Sequence, residues 1–386
     1  MYNFDKIAQR RNTDSYKWDV LNDELPMWVA DMDFMVAPQI RDSIVERASI
    51  MAYGYSNVPD SFYEAYKSFF QKRHDLKLDT KWMIFSTGVV PSISSCVRAL
   101  TSVLDNVLIM SPVYNIFYNS IRNNNRNILT SNLIYDGKTY SIDFSDLEEK
   151  LKDEKTKLFI FCNPHNPCGN IFSLDELKKI VLLCKKYNVI LISDEIHCDI
   201  IEPGFNYNPI LKIEEAKDIT IMLCSASKCY NLAGLQASIA VVPNKDLRYR
   251  VYRGINNDEC GENNFFSAHA HTVALNECQN WLDEMNAYVK NNKDYVIDFI
   301  LNNIKELKVV ESKALYLMWI DISKLNVDSD EFCIFLRKKT GLYISSGKAY
   351  GENGNGFVRI NVATSKENVI DACNRLKIAV GLLKNR

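Results

Sequence analysis

A series of short apolar runs, separated by amphipathic segments, constrains the fold more than any other feature of the sequence. The runs are five or six residues long and lie at Trp82–Ser86, Asn106–Met110, Leu158–Cys162, Val189–Ser193, Ile219–Cys224 and Ser238–Val242. Because several are continuous rather than alternating, they are typical of strands buried on both faces, as in a parallel sheet. Their alternation with helices predicts an α/β, doubly wound fold with ligand sites at the carboxyl ends of the strands.

Several helix starts carry a recognisable signal. A serine or threonine followed three residues later by a glutamate is the pattern of a capping box. The pattern occurs at Ser61/Glu64, Ser145/Glu148, Ser173/Glu176 and Thr364/Glu367. We therefore expect a helix to begin at each of these positions.

The pattern changes after about residue 280. A long polar helix is predicted over Trp281–Asn302, followed by a strand over Leu315–Ile322 and a helix that ends before Gly341. A further strand near Phe357–Val362 precedes the last helix. Strands mixed with helices and loops in this way predict a smaller α+β domain.

The length of 386 residues is long for a single core and favours two domains. We expect an N-terminal arm with part of the small domain over residues 1–45. A large ligand-binding domain with a mostly parallel central sheet should cover residues 46–280, and a small C-terminal domain residues 281–386. The two domains are expected to share the long helix.

Composition narrows the class of protein. The formal net charge is −2, so nucleic acid is not an expected ligand. No apolar run approaches the length of a bilayer span, and the first residues lack a signal-peptide core, so no membrane association is expected. The eleven cysteines are odd in number and contain no Cys-x-x-Cys pair. This pattern favours reduced thiols in a cytoplasmic protein over a disulfide framework or a zinc site.

Lys228 is the strongest candidate for chemistry. It follows the apolar run Ile219–Cys224 within the sequence Ser225-Ala226-Ser227-Lys228. Lysines are rarely buried without a partner, and desolvation lowers the lysine pKa and favours a nucleophilic amine. The run is typical of a lysine that forms a Schiff base with pyridoxal 5′-phosphate (PLP), with the serines as phosphate donors. On this stretch alone, a surface lysine in a strand-to-helix loop is the alternative.

Two further polar residues stand at predicted strand ends. Asn163 opens a rigid turn with two Asn-Pro pairs, and its amide could donate to a ring oxygen. Asp194 ends an apolar run, where a carboxylate is costly unless it meets a cation such as a protonated pyridine nitrogen. A metal cluster of Asp194, Glu195, His197 and Asp199 is the weaker alternative, because no second His/Asp group at ligand spacing supports it.

A glycine also links a predicted strand to a predicted helix. Gly88 follows Ser86-Thr87, and Pro91 stands in the first turn of the helix. Free amides at a helix N-terminus bind phosphate well. An ordinary strand-to-helix turn is the alternative for this motif taken alone.

Together these motifs resemble the fold-type I PLP enzymes of the class I/II aminotransferase superfamily, and more narrowly its cystathionine β-lyase-type C–S lyase branch. The resemblance runs nearly the full length of the chain. It is carried by Leu25–Phe34, Tyr53–Tyr55, Gly88–Pro91, Ser111–Tyr114, Asn163–Pro167, Ser193–His197, Ser225–Lys228 and Phe357–Asn361. It implies a PLP-dependent transferase-like fold.

The resemblance implies individual roles for these residues. Lys228 would be the Schiff-base lysine and Asp194 the partner of the pyridine nitrogen. Tyr55 would complete the catalytic set by reaching the phosphate from a neighbouring subunit, which implies a symmetric homodimer. Asn163 and His197 would hydrogen-bond the phenolic oxygen of the cofactor.

The remaining roles concern the cofactor ring, its phosphate and the substrate. Tyr114 would stack on the ring. Arg359 would grip the substrate carboxylate bidentately, a task suited to a planar guanidinium, with Ala30 and Asn163 also facing the substrate. The phosphate would be held by Val89, Val90, Ser225 and Ser227.

The implied activity is PLP-dependent α,β-elimination from cystathionine or a related cysteine S-conjugate, giving a thiol, pyruvate and ammonia. Gln236 stands where many transaminases have a phosphate-binding arginine, and this departure favours the lyase branch. An aminotransferase is the main alternative. A regulatory or binding protein on the same fold and a metal hydrolase are more distant alternatives.

Overall fold

The computed structural model describes residues 2–385. Strands and helices are numbered here in chain order. The strands are β1 Leu25–Pro26, β2 Met83–Ser86, β3 Asn106–Ser111, β4 Asn127–Asn132, β5 Ile134–Tyr135, β6 Tyr140–Ser141, β7 Thr156–Cys162, β8 Ile190–Asp194, β9 Thr220–Cys224, β10 Ser238–Val241, β11 Lys308–Val309, β12 Leu317–Asp321, β13 Leu342–Tyr343, β14 Ser345–Ser346 and β15 Phe357–Asn361. The helices are α1 Pro38–Ala48, α2 Asp60–His74, α3 Val89–Leu100, α4 Asn115–Arg122, α5 Phe144–Lys152, α6 Leu174–Lys186, α7 Lys245–Asn257, α8 Ser267–Glu277, α9 Gln279–Asn303, α10 Ser329–Thr340 and α11 Lys366–Lys384.

The larger sheet has seven strands in the order β2-β10-β9-β8-β7-β3-β4. Its strands run parallel except β10, which is antiparallel to both β2 and β9. All six strands predicted from apolar runs are confirmed, and the mostly parallel sheet is confirmed with them. The edge strand β4 was not predicted, because its residues are mostly polar and partly exposed and so lack the apolar run of a buried strand.

A second sheet of four antiparallel strands has the order β11-β12-β15-β14. The predicted long helix, the two predicted strands and the helix that ends before Gly341 are all present here. Gly341 terminates α10 with a φ of 72°, a left-handed conformation that glycine adopts without strain. The N-terminal arm joins this region, since β1 pairs in parallel with β13.

Only one of the four expected capping boxes forms as expected. Ser173 caps α6, and its reciprocal bond with Glu176 completes a capping box. The other helices begin at neighbouring residues, with Pro59, Asp143 and Ser365 as their N-caps. Asp143 and Ser365 present side-chain oxygens to the first free amides, so they compete directly with the predicted caps. Within residues 2–385, no helix is both long and apolar enough to cross a membrane.

Helix α3 follows β2 and covers one face of the larger sheet. Its buried side chains Val89, Ile93 and Val97 recur every four residues, which places them on one stripe of the helix. They pack in one apolar cluster with Ile109 of β3 and Val251 of α7. This packing fixes the N-terminus of α3 at the carboxyl edge of the parallel strands.

Candidate active site

A cavity of about 240 Å³ opens at the carboxyl ends of the parallel strands. The sequence predicted that edge as the position of the site. Seven of the expected site residues line the cavity: Ala30, Val89, Val90, Tyr114, Asp194, His197 and Lys228. Thr87, Gly88, Asn166 and Gln236 line it as well. The N-terminal arm, the segments after β3, β7, β8 and β9 and the start of α3 therefore meet at one place.

Lys228 lies in the turn that follows β9, partly buried at the cavity wall. Its Nζ donates a hydrogen bond of 2.7 Å to the backbone oxygen of Ala30. Burial lowers the pKa of Lys228, while the carboxylates of Asp31 and Asp194 act in the opposite direction and Arg359 adds to the lowering. The result is an amine that loses its proton more readily than an ordinary lysine, as a nucleophile or base requires.

Asp194 is the last residue of β8 and is 4% exposed. Its Oδ1 accepts a hydrogen bond of 3.1 Å from the amide of Ile196. Burial raises the pKa of Asp194 to about 7, and the charge of Lys228 only partly offsets that rise. A carboxyl group in this position gains a strong partner when a cation enters the cavity.

Arg359 lies on β15 of the smaller sheet and is 4% exposed. Its Nη1 donates to Oδ1 of Asn166 at 3.1 Å, and its Nη2 donates to the backbone oxygen of Trp28 at 2.9 Å. The Nε atom has no hydrogen-bond partner among the described residues. The guanidinium carbon lies 4.8 Å from the centre of the Tyr350 ring. A buried guanidinium with a free donor is suited to a carboxylate ligand.

Asn163 is placed differently from the expectation. Its side chain is fully buried, and its Nδ2 donates to the backbone oxygen of Asn208 at 3.0 Å. Asn166, three residues further along the same loop, lines the cavity instead. Both asparagines precede a proline, so the local sequence pattern does not distinguish them. The bond from Asn166 to Arg359 depends on contact between the two sheets, which no local pattern records.

The loop that carries both asparagines ends at Gly169, which closely approaches the segment between β11 and β12. Its φ is 72°, and a Cβ built on it would lie 2.3 Å from Oγ of Ser312. Only glycine fits that space and that backbone conformation. The glycine therefore permits the close contact of the loop with residues 312–314.

His197 and Tyr114 each contribute an aromatic ring to the cavity wall. His197 is 4% exposed, its Nδ1 has no partner among the described residues, and burial lowers its pKa well below the usual value. The imidazole is therefore neutral at physiological pH and can both donate and accept. Burial raises the pKa of Tyr114 to about 12, so its phenol remains protonated.

The phosphate end of the expected site lies at the N-terminus of α3. Val89 and Val90 are its first residues, and the first intrahelical bond is donated by Ser92 to the oxygen of Gly88. The amides before Ser92 are therefore free of helix bonds and suit an anion. Ser225 Oγ instead donates to the backbone oxygen of Ala237 at 2.6 Å and lies 2.8 Å from Ser227 Oγ.

Tyr55 lies outside this cluster within the single chain. It is fully exposed on the segment between α1 and α2. Its neighbours Met51 and Tyr53 are exposed too, at 83% and 60%. The expected role of Tyr55 therefore depends on a second copy of the chain.

The groups around the cavity fit PLP. An amine stands at one side, a buried carboxyl group ends the adjacent strand, and free helix amides lie at one end. The unpartnered Nδ1 of His197 and the ring of Tyr114 offer a hydrogen-bonding group and an aromatic wall. These are the chemical partners that the Schiff-base carbon, the ring nitrogen, the phosphate and the ring of PLP require.

A trio outside the cavity brings metal-compatible atoms together. Donor atoms of His74, Cys198 and Asp199 all lie within 4.8 Å of one another. Of the four residues that the sequence analysis considered as a metal cluster, this trio includes only Asp199. Asp199 Oδ1 already contacts His74 Nε2 at 2.9 Å and Arg73 Nε at 3.5 Å. Cys198 Sγ donates to Asp199 Oδ2 at 3.2 Å, so the carboxylate is engaged by three protein side chains, one of them a guanidinium.

Comparisons with known proteins agree with the fold. The family model described as aminotransferase class I and II matches residues 29–376. A protein of Bacillus subtilis named cystathionine beta-lyase PatB is 35% identical over 385 residues, which cover 98% of this chain and 100% of that protein. Cystalysin from Treponema denticola, solved with PLP, matches with a TM-score of 0.96 and 32% identity, covering 99% of this chain and all of the other. A PLP-bound C–S lyase from Staphylococcus hominis matches with a TM-score of 0.92 and 33% identity over 98% and 99% of the two chains.

Proposed function

The chain belongs to the aminotransferase class I and II family, and from that premise we propose that it is a PLP-dependent C–S β-lyase. The substrates would be cystathionine or related cysteine S-conjugates, and the products a thiol, pyruvate and ammonia. The observation that carries the proposal is the meeting of Lys228 and Asp194 at one cavity, with Arg359 bonded to Asn166 of the cavity wall. The names of the similar proteins favour elimination over transamination.

Three residues would perform the central steps. When bound, PLP supplies an electron sink that stabilises negative charge at the α carbon of an amino acid. Asp194 would keep a positive charge on the ring nitrogen by holding its proton in a buried hydrogen bond. Lys228 would bind the cofactor covalently through Nζ and later take the α-proton on the same atom. Arg359 would orient the substrate through its carboxylate.

Other cavity residues would hold the cofactor in place. The amides of Val89 and Val90 would donate to the phosphate, and Tyr114 would lie against the ring. His197 would hydrogen-bond the phenolic oxygen. We assign the second bond to that oxygen to Asn166 rather than Asn163, because Asn166 lines the cavity and Asn163 donates to Asn208.

Ala30, Ser225 and Ser227 would have supporting roles. Ala30 lines the cavity on the side of Lys228, consistent with a position beside the substrate. The two serines are 6% and 8% exposed and bonded to one another, so they would shape the turn under the phosphate.

We further propose a homodimer, because Tyr55 would have to reach the cofactor phosphate from a second copy. The exposed apolar residues Met51 and Tyr53 beside it support a contact between chains. All eleven cysteines are free thiols, which supports a reducing compartment such as the cytoplasm. For the domains, we keep the boundaries near residues 45 and 280, since the second lies at the start of α9.

An assay with cystathionine and no keto acid tests the activity. The lyase should release pyruvate, ammonia and thiol over many turnovers, because a β-thiol departs without a second substrate. A reaction that stops after one turnover and resumes only when a keto acid is added would make the protein an aminotransferase, the activity that the family description also includes.

A further inference from the structure

Residues 28–34 of the N-terminal arm, here called the arm segment, lie beside Lys228. The segment lies outside every helix and strand. Phe34, at its end, forms an isolated β-bridge with Ile7. Buried carbonyl groups outside a sheet need other partners. Side chains supply them: Ser345 and Arg359 bond the oxygen of Trp28, Asn361 those of Val29 and Asp31, Lys228 and Tyr316 that of Ala30, and Arg10 and Asn231 that of Met32.

Lys17 is a further donor to the arm segment and is almost completely buried. Its Nζ lies 2.8 Å from Oδ1 of Asp33 and 3.0 Å from the backbone oxygen of Asp31. Both charged side chains are 1% exposed. The same Asp33 oxygen accepts a bond of 2.6 Å from Nε1 of Trp18. The Lys17–Asp33 pair therefore fixes one end of the arm segment from inside the protein.

A buried ion pair is a poor source of stability. Two charges lose their hydration on burial, and an apolar pair of similar volume is often as stable or more stable. The geometry gives the Lys17–Asp33 pair a role in positioning the backbone rather than in stability. The carbonyl bonded by Lys17 and the carbonyl bonded by Lys228 flank the same α carbon, that of Asp31. A shift of the peptide that Lys17 bonds therefore also moves the peptide that Lys228 bonds.

We propose that Lys17 is a positioning residue for Lys228. The Lys17–Asp33 pair holds the arm segment so that the oxygen of Ala30 fixes the Nζ of Lys228 at the cavity wall. Tyr316 reinforces the same oxygen with a bond of 3.1 Å. The expected effect of Lys17 on turnover rests on the proposed function. The expected effect of Lys17 on the amine of Lys228 does not depend on that function.

Loss of the pair should be visible in the titration of Lys228. The charged groups that face its amine are Asp31, Asp194 and Arg359, and the imidazole of His197 is close as well. None of these side chains is substituted in the Lys17/Asp33 variant, but Asp31 belongs to the arm segment and moves with it, and loss of its charge from the amine also lowers the pKa of Lys228. A carbonyl acceptor favours the ammonium form, so displacement of the Ala30 oxygen should lower the pKa of Lys228 further.

The test uses a double variant, Lys17→Met with Asp33→Leu, which leaves no unpaired charge. The matched control is Lys293→Met with Glu202→Leu. Lys293 is also nearly buried, pairs with Glu202, and bonds Ser312 Oγ at 2.8 Å, away from the arm segment. An effect seen in the Lys17/Asp33 variant and not in the Lys293/Glu202 control is therefore due to this ion pair and not to the loss of a buried ion pair in general.

The first measurement is the pH midpoint for trinitrobenzenesulfonate labelling of Lys228 in cofactor-free protein, read by peptide mass. The midpoint should fall by about one unit in the Lys17/Asp33 variant and stay at the wild-type value in the control. The second is steady-state kinetics after PLP is added. kcat should fall by about 10- to 100-fold, with KM changed much less, since a misplaced base slows proton transfer more than binding.

A folded Lys17/Asp33 variant with the wild-type midpoint overturns the inference. If that variant does not fold, Lys17→Gln decides the question, since the shorter side chain cannot reach both of its acceptors, and an unchanged midpoint again overturns it. The labelling result can be interpreted even if the wild-type protein shows no lyase activity. The proposed function and the positioning role of Lys17 can therefore be disproved independently.

Discussion

Arg359 Nη1 donates a hydrogen bond of 3.1 Å to Oδ1 of Asn166. The bond joins β15 of the smaller sheet to the loop after β7 of the larger sheet. The group proposed to bind the substrate carboxylate and a wall of the proposed cofactor cavity therefore come from different sheets. Any motion between the sheets would change the distance between substrate and cofactor positions.

Arg359→Lys should impair substrate binding more than chemistry. An ammonium cannot make the two parallel bonds of a guanidinium fork, so we expect KM to rise by about tenfold or more and kcat to fall less. PLP content should be unchanged. The control is Arg98→Lys, which alters an arginine bonded to both oxygens of Asp258 on the protein surface. An unchanged KM, or loss of PLP, would contradict the assignment of Arg359.

Lys228 should carry the cofactor covalently. Its Nζ is the lysine amine at the cavity, and burial lowers its pKa towards the nucleophilic form. Purified protein with PLP should be yellow, and borohydride reduction should fix a pyridoxyl group on the peptide that contains Lys228. Peptide mapping checks this, with Lys293, also buried, as the internal control. Label on a different lysine would disprove the assignment.

The two asparagines of the loop after β7 should behave differently. Asn166→Ala removes a cavity group and the acceptor of Arg359, so kcat/KM should fall by about 10- to 100-fold. Asn163→Ala removes a buried bond to the backbone of Asn208, so its main effect should be a loss of stability of about 1–3 kcal/mol. Kinetics and urea unfolding of both variants separate the effects. The reverse pattern would restore the original expectation for Asn163.

Asp194→Asn should fold, bind PLP and lose most of its activity. The amide still forms a hydrogen bond but cannot stabilise a positive charge, so we expect kcat to fall by about 10²- to 10³-fold, the size found when one preorganised electrostatic group is removed. Turnover by PLP-loaded variant, normalised to bound cofactor, checks this. Near-normal turnover would show that the carboxylate is not needed.

The sequence predicts the larger sheet well because its strands are buried on both faces. Within β7 the buried stretch Leu158–Cys162 is apolar throughout, and an apolar run is visible without knowledge of the partner strands. The edge strand Asn127–Asn132 has solvent on one side, so its composition resembles that of a loop. Helix starts are less predictable, because Asp143 and Ser145 both offer a capping oxygen within three residues.

For the site, residues at strand ends are predictable and residues defined by contact between distant segments are not. Asp194 and Lys228 follow buried strands, so their position at the carboxyl edge follows from topology. Asn166 is distinguished from Asn163 only by its contact with Arg359, nearly 200 residues away in the chain. Lys17 is equally hidden, since its partners belong to an irregular segment whose path no periodicity reveals.

The last prediction concerns the stability of the cofactor-free protein. Burial raises the pKa of Asp194 from 3.8 to about 7. Between those two values the folded chain keeps the proton and the unfolded chain releases it. The contribution of Asp194 to stability therefore falls as pH rises through this window and is constant above it. The penalty arises because a buried carboxylate without a cation partner has lost its hydration.

Asp194→Asn removes that titration and should stabilise the cofactor-free protein at neutral and alkaline pH. Urea unfolding of both proteins at about pH 5 and about pH 8 measures the effect. The free energy of unfolding of the variant, relative to wild type, should be larger at the higher pH by about 2–3 kcal/mol. Titrating groups that do not interact with Asp194 are common to both proteins and cancel in the comparison, whereas Glu195 and Lys228 interact with its charge and do not cancel fully. An equal difference at the two pH values would mean that Asp194 is hydrated or already paired in the cofactor-free state.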